Sequence, residues 1–201
     1  MGAFTSLRNL DFQSNNFSDI SMFLKGLRNL QDLNLMRNEI AKIEGLQGLQ
    51  NLLKLNLSKN RITRIEGLQF NQRLQELKIN AQRIKTPLIV DDDSMIAISN
   101  SLILLECEEN KISNLNPFRW LVKLQTLKLK GNDLKSIFDL EQGLVCLSSL
   151  RNLDVRKNAL VETEKWRDYV VMMGLSLTEL NEKKVLMHER EFLFKFHKRR
   201  K

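Results

Sequence analysis

Catalysis near neutral pH calls for histidines, activated thiols, paired carboxylates or a bound metal, and this sequence offers few of them. Its only histidines, His188 and His197, lie close to the C-terminus, about half a turn out of phase on a helix. The two cysteines, Cys107 and Cys146, form no Cys/His cluster with zinc spacing and are too few for a disulfide framework. Met1 to Leu10 lacks the basic start and apolar stretch of an export signal. The cysteines are therefore expected to be reduced thiols in a cytosolic or nuclear protein. Asp91, Asp92 and Asp93 are consecutive carboxylates, but the regular oxygen-ligand spacing of a calcium loop does not follow them. No glycine-rich phosphate loop or nucleophile elbow occurs. These residue types predict no catalytic centre, no metal and no cofactor. Met1-Gly2-Ala3-Phe4-Thr5-Ser6 fits the short myristoylation pattern.

What recurs instead is an amide at a fixed distance behind leucines. Asn15, Asn38, Asn60, Gln82, Asn110, Asn132 and Asn158 each close a segment of the form L-x-x-L-x-L-x-x-N-x-I/L. The segments start at Leu7, Leu30, Leu52, Leu74, Leu102, Leu124 and Leu150. The clearest runs are Leu30-Leu33-Leu35-Asn38-Ile40-Ile43-Leu46-Leu49 and Leu52-Leu55-Leu57-Asn60-Ile62-Ile65-Leu68. Alternation over L-x-x-L-x-L predicts a short strand, and the following I-x-x-I-x-x-L a turn of helix or 3₁₀ helix on the outer side. One unit cannot bury its own apolar face, so the units must stack into a continuous leucine spine. The amides fall where the chain leaves the strand, where buried backbone groups need partners. An amide supplies both donors and an acceptor, so the ladder is predicted to be structural rather than a ligand site.

The pattern predicts an α/β solenoid of the leucine-rich-repeat class, a right-handed arc of about seven 22-residue repeats with a parallel concave sheet. Residues 1–181 form the repeat domain with its C-terminal cap, and 182–201 a basic helical tail. Within the domain, residues 85–101 are an insertion whose aspartates favour a helix N-terminus, predicting an outer helix over about Ser94–Asn100. Trp166 to Val171 is predicted to be a helix packing on the last repeat, with Leu177-x-x-Leu180 as a final half-repeat. At the other end Phe4 aligns with the close of a preceding repeat. That end is expected to be covered by residues upstream, by a partner or by another copy. Phe192, Phe194 and Phe196, spaced by two, cannot all lie on one narrow helical stripe, so at least one is expected to reach a partner unless they pack under the last repeat.

Residues alternating with the leucines line the concave face. The candidates for partner binding there are Asp11, Asn34, Met36, Arg37, Asn56, Lys59, Lys78, Glu106, Glu108, Glu109, Lys128, Lys130 and Arg156. Phe194, Phe196, Lys198, Arg199 and Arg200 are candidate tail contacts. Net charge is +8, of which 182–201 contributes +5, so basicity is mainly a property of the tail. A central acidic stripe between basic ones fits a protein partner with its own charge pattern. It argues against nucleic acid, which needs a continuous cationic track with stacking aromatics. A short open arc has no closed pocket for a small-molecule substrate. No apolar run is long enough to span a membrane.

The run Asn-x-Ile-x-x-Ile-Glu-Gly-Leu at Asn38–Leu46 and Asn60–Leu68 resembles the leucine-rich-repeat regulatory subunits of protein phosphatase 1. A narrower likeness runs from Leu74-Gln75-Glu76-Leu77 and Asn80-Ala81-Gln82-Arg83-Ile84 through Ser101-Leu102-Ile103-Leu104-Leu105 and Trp166-Arg167-Asp168. It continues through Ser176-Leu177-Thr178-Glu179-Leu180 to Glu189-Arg190-Glu191-Phe192-Leu193. These segments look like the testis branch of that family, linked to centrosomes, microtubules and cilia. The resemblance implies a cytoplasmic adaptor of a ciliary, axonemal or centrosomal assembly, with cytoskeletal proteins, tubulin or the phosphatase catalytic subunit as partners. A soluble phosphatase regulator and an RNA-associated adaptor using the basic tail are the alternatives. The segment nearest to a basic-Val-x-Phe phosphatase-docking motif is Lys183-Lys184-Val185-Leu186-Met187, which has Met in place of the aromatic and is also expected to begin the tail helix.

Overall fold

The structure is a computed structural model that describes residues 6–198. Met1–Thr5, with the myristoylation pattern and Phe4, lie outside the described residues, as do Arg199 and Arg200. Each L-x-x-L-x-L segment forms a strand of three residues: β1 (Asn9–Asp11), β2 (Asp32–Asn34), β3 (Lys54–Asn56), β5 (Glu76–Lys78), β7 (Leu104–Glu106), β8 (Thr126–Lys128) and β9 (Asn152–Asp154). They pair in parallel in chain order, and the cap adds β10 (Glu179–Leu180) in parallel and β11 (Lys183–Lys184) antiparallel, making nine strands.

Register follows from the leucines. Leu10, Leu33, Leu55, Leu77, Leu105, Leu127 and Leu153 are direct cross-strand partners, one per repeat. All but Leu10, which is half-buried, are sealed from solvent. With Leu35, Leu57, Ile79, Cys107, Leu129 and Val155 they form the sheet side of a single apolar core. The outer side is closed by Ile40, Ile43, Leu46, Leu49 and their counterparts. Each buried leucine stabilises the fold by roughly 2 kcal/mol relative to an exposed one. Cys107, inside this core, has its thiol pushed above the usual range by burial, aided by the Glu106 charge. Glycine is required at Gly67, which ends one Ile-Glu-Gly-Leu run: its φ is +74° and a Cβ would lie 2.5 Å from the Ile43 carbonyl oxygen.

The insertion contains more than the sequence indicated. β6 (Ile89–Val90) pairs in parallel with β4 (Arg64–Ile65) on the outer side. Helix α1 spans Asp92–Ile98 rather than Ser94–Asn100. It starts earlier because Asp91 is the N-cap, its carboxylate accepting from the Ser94 amide at 3.0 Å. Asp92 and Asp93 fill the first turn, and Asp92 pairs with Arg119 at 2.8 Å. The aspartates therefore cap and charge a helix. Further on, α2 spans Phe138–Leu144, and α3, Trp166–Met173, packs on the last repeat.

The tail differs from expectation in two respects. Lys183–Lys184 is the closing strand of the sheet, so α4 begins only at Met187 and runs to Lys198. α4 is anchored on the cap by Leu193, which is buried, and by Arg190, whose guanidinium donates to the Gly174 and Leu177 carbonyls at 3.1 and 2.9 Å. Arg167 adds an ion pair to Glu189 at 3.0 Å. Phe192, Phe194 and Phe196 flank this contact and stay 65%, 45% and 38% exposed. The inward position between them is filled by Leu193. Phe192 stacks on Phe196 at 6.0 Å between centroids.

Candidate functional site

The turn after each strand decides which side chains reach the sheet face. Ser14, Arg37, Lys59, Ala81, Glu109 and Lys157 have φ between +52° and +60°, and Gly131 has +68°. In this left-handed conformation the Arg37 and Lys59 amides donate to Ser58 and Asn80 carbonyls of the next repeat at 2.9 and 2.8 Å. Each repeat thus leaves the strand through a left-handed residue, and period-two alternation ends there. Arg37, Lys59 and Glu109, assigned to the concave face by alternation, belong to this turn column beside it.

The next residue is the ladder amide. Asn38, Asn60, Gln82, Asn110, Asn132 and Asn158 are buried. The Asn60 amide donates to the Leu35 and Leu57 carbonyls at 2.9 Å each and accepts from the Ile40 amide at 3.1 Å. Asn132 in the sixth repeat and Asn158 in the seventh, next to the cap, repeat this scheme. Gln82 reaches the Leu57 carbonyl and the Ile62 amide, both at 2.9 Å. Every buried amide of the ladder is committed to backbone. Asn15 is exposed and bonds only within its own turn.

On the sheet face itself, Asp11, Asn34, Asn56, Lys78, Glu106, Lys128 and Asp154 stand in one cross-strand row. Met36, Glu108, Lys130 and Arg156 lie two residues further along their repeats. The row places Glu106 between Lys78 and Lys128, acid between bases, and these charges are paired with one another. Glu106 is buried, takes Lys128 at 2.9 Å and Asn80 at 3.0 Å, and has Lys78 at 3.7 Å. Burial opposes its charge, but these partners outweigh burial and hold its carboxyl below the usual range. Asp154 is likewise held down by Arg156 against burial, and Arg156 also pairs with Glu182. Asp154, Asn80 and Glu182 were missed as participants. Asp154 could have been found, since Leu153-Asp154-Val155 occupies the place of Leu127-Lys128-Leu129.

Glu108 is the exception, since no ion pair or hydrogen bond holds its carboxylate among the described residues. Burial first, then the Asp154 and Glu106 charges, raise its pKa against Lys128 and Lys130. A carboxyl with a raised folded-state pKa adds stability below its unfolded pKa and loses it as pH rises through the folded value. Glu108→Gln is therefore expected to raise the thermal midpoint at pH 7 by about 1–2 °C and to leave it unchanged at about pH 3, below the ordinary carboxylate pKa. Differential scanning calorimetry at both pH values checks this.

The hollows on this side are shallow, about 250 Å³ over Asp32, Asn34, Lys54, Asn56, Glu76 and Lys78. Among the described residues no group of three or more His, Cys, Asp or Glu could hold a metal ion, and no helix is long and apolar enough to cross a membrane. The surface offers a broad polar contact area.

A leucine-rich-repeat family profile, in two copies, matches residues 5–48. An internalin (inlF) from Listeria monocytogenes is similar with a TM-score of 0.68 and 23% identity, over 88% of this chain and 54% of its own. A leucine-rich-repeat protein of Leptospira interrogans is similar with a TM-score of 0.62 and 24% identity, over 87% of this chain and 49% of its own. The protein of a TLR13–ssRNA13 complex gives a TM-score of 0.65 and 30% identity, over 86% of this chain but 24% of its own. The chain spans about half or less of the length of these three structures.

Proposed function

We propose that this chain, a leucine-rich-repeat solenoid with an open, polar, nine-stranded sheet, is a non-catalytic docking scaffold for another protein. The partner belongs to a microtubule-based assembly, ciliary, axonemal or centrosomal, in the cytoplasm. The observation that carries docking is the row from Asp11 to Asp154: side chains of seven consecutive repeats held in register on one accessible face. The cross-strand ion pairs fix the positions of Lys78, Glu106 and Lys128 before a partner arrives, which lowers the ordering cost of association. The choice of assembly is supported by the resemblance of the segments between Leu74 and Leu193 to the testis branch of the phosphatase regulatory subunits, subunit 42 in particular.

Regulation of protein phosphatase 1 is the second reading, on the same resemblance. The segment nearest to a docking motif counts against it. Lys183–Lys184 is a sheet strand and the Val185 amide donates to the Thr178 carbonyl at 2.8 Å, so this segment closes the cap. RNA binding draws support from the basic tail and the likeness to the protein of the TLR13–ssRNA13 complex, but the alternating charges of the row give no cationic track.

The test is co-sedimentation with isolated axonemes and centrosomes. The wild-type chain is expected to co-sediment, and Asn56→Trp, which places a bulky ring on the sheet face, to lose at least about tenfold in affinity. Retention on immobilised phosphatase catalytic subunit with none on axonemes or centrosomes would replace this reading by the second.

A further inference from the structure

The sheet face largely neutralises itself, but the edge beside it does not. The left-handed turn residues and the residues following each ladder amide form two adjacent columns. In the second to fifth repeats these columns carry Arg37, Lys59, Arg61, Arg83 and Lys111 against only Glu39 and Glu109. Glu39 is shared: it pairs with Arg61 and, at 2.7 Å, with Arg83. Lys111 donates to the Lys85 carbonyl at 2.7 Å. Arg37 and Lys59 are exposed and make no ion pair among the described residues. With Ser14, Asn15, Glu39 and Arg83 they line an open cleft of about 410 Å³.

Three features define what fits. Arg37 and Lys59 come from neighbouring repeats, and adjacent strands are about 4.8 Å apart, so two cations face one short stretch of partner. The Ser14 and Asn15 side chains add hydrogen-bonding groups. The cleft is open along the repeats, which suits an extended segment rather than an enclosed small molecule, and its lining has no aromatic ring on which a base could stack. The turn position itself accepts glycine, as Gly131 demonstrates in the sixth repeat. Cations at Arg37 and Lys59 are thus not required by the backbone.

We propose that this edge cleft binds an acidic peptide segment of a protein partner, whose Asp or Glu carboxylates are taken by Arg37 and Lys59. The site lies beside the sheet face and goes beyond the docking reading above. Guanidinium and ammonium donors make charge-assisted hydrogen bonds to carboxylate, and excess positive charge speeds encounter at low salt.

The test is fluorescence anisotropy at low ionic strength with a labelled peptide of alternating Glu and Gly. The full chain is expected to bind it and to ignore the Gln counterpart. Arg37→Gly/Lys59→Gly is expected to lose at least about tenfold in affinity. Glycine suits the left-handed turn, so the thermal midpoint should be kept or raised. Lys157→Gly, the same substitution at the matching turn of the last repeat, should bind normally. Arg37→Lys/Lys59→Arg, which keeps the charges, should retain binding. No binding by the wild type, an equal loss in Lys157→Gly, or capture of a phosphoserine peptide or oligouridine in place of the Glu peptide would overturn the proposal. Asn56→Trp should leave peptide binding unchanged, so failure of the sheet-face reading and failure of this one are read separately.

Discussion

Asn132→Leu is expected to lower the unfolding free energy by about 3–5 kcal/mol, although leucine nearly matches asparagine in size. The Asn132 amide donates to the Cys107 and Leu129 carbonyls at 2.9 Å each and accepts from the Ile112 and Asn110 amides at 2.9 and 3.0 Å. Leucine leaves these backbone groups buried without a partner, and each such group costs about 1–3 kcal/mol before relaxation. The same change at Asn15, which is exposed, should cost less than about 1 kcal/mol, because water takes over its partners. Urea unfolding followed by circular dichroism measures both. Equal costs at the two positions would mean that the ladder does not work through buried backbone.

Leu105→Ala should be comparably severe, at about 3–4 kcal/mol. Leu105 is fully buried in the middle of the stack, with Leu77 and Leu127 as its cross-strand partners. Removing its side chain opens a cavity between two neighbours that cannot both collapse into it. Leu10→Ala, in the same leucine row but half-buried, should cost about 1 kcal/mol, since less area is withdrawn from water. The contrast separates stacking from simple leucine content. A solenoid whose units contributed independently of their neighbours would show the two costs alike.

The leucine spine, the ladder and the repeat starts were legible because they are local and periodic. The spacing of Leu30, Leu33 and Leu35 announces a strand and its buried side without knowledge of the neighbours. What was not legible depends on contacts between repeats. Alternation placed Arg37, Lys59 and Glu109 on the concave face. The left-handed turn that removes them is imposed by hydrogen bonds to the next repeat, and no residue preference marks it, since Ser14, Ala81 and Lys157 adopt it too. The placement of Glu106 between Lys78 and Lys128 was legible from the repeat positions, but the distances at which these lysines neutralise it depend on register between strands. In the tail, the spacing of the phenylalanines showed that they could not share one buried stripe, but not that Leu193 makes the anchor, beside the Arg190 and Arg167 contacts to the cap.

Docking on the face of the parallel sheet is tested most directly by residue-resolved chemical cross-linking of the native chain in its assembled state. Lys54, Lys78, Lys128 and Lys130 stand on that face, whereas Lys25, Lys42 and Lys123 lie elsewhere in the repeats. The expected result is that cross-links to the partner concentrate at the first four and that the partner is a microtubule-associated protein. Cross-links confined to Lys25, Lys42 and Lys123, with the sheet lysines reacting only with free reagent, would contradict it.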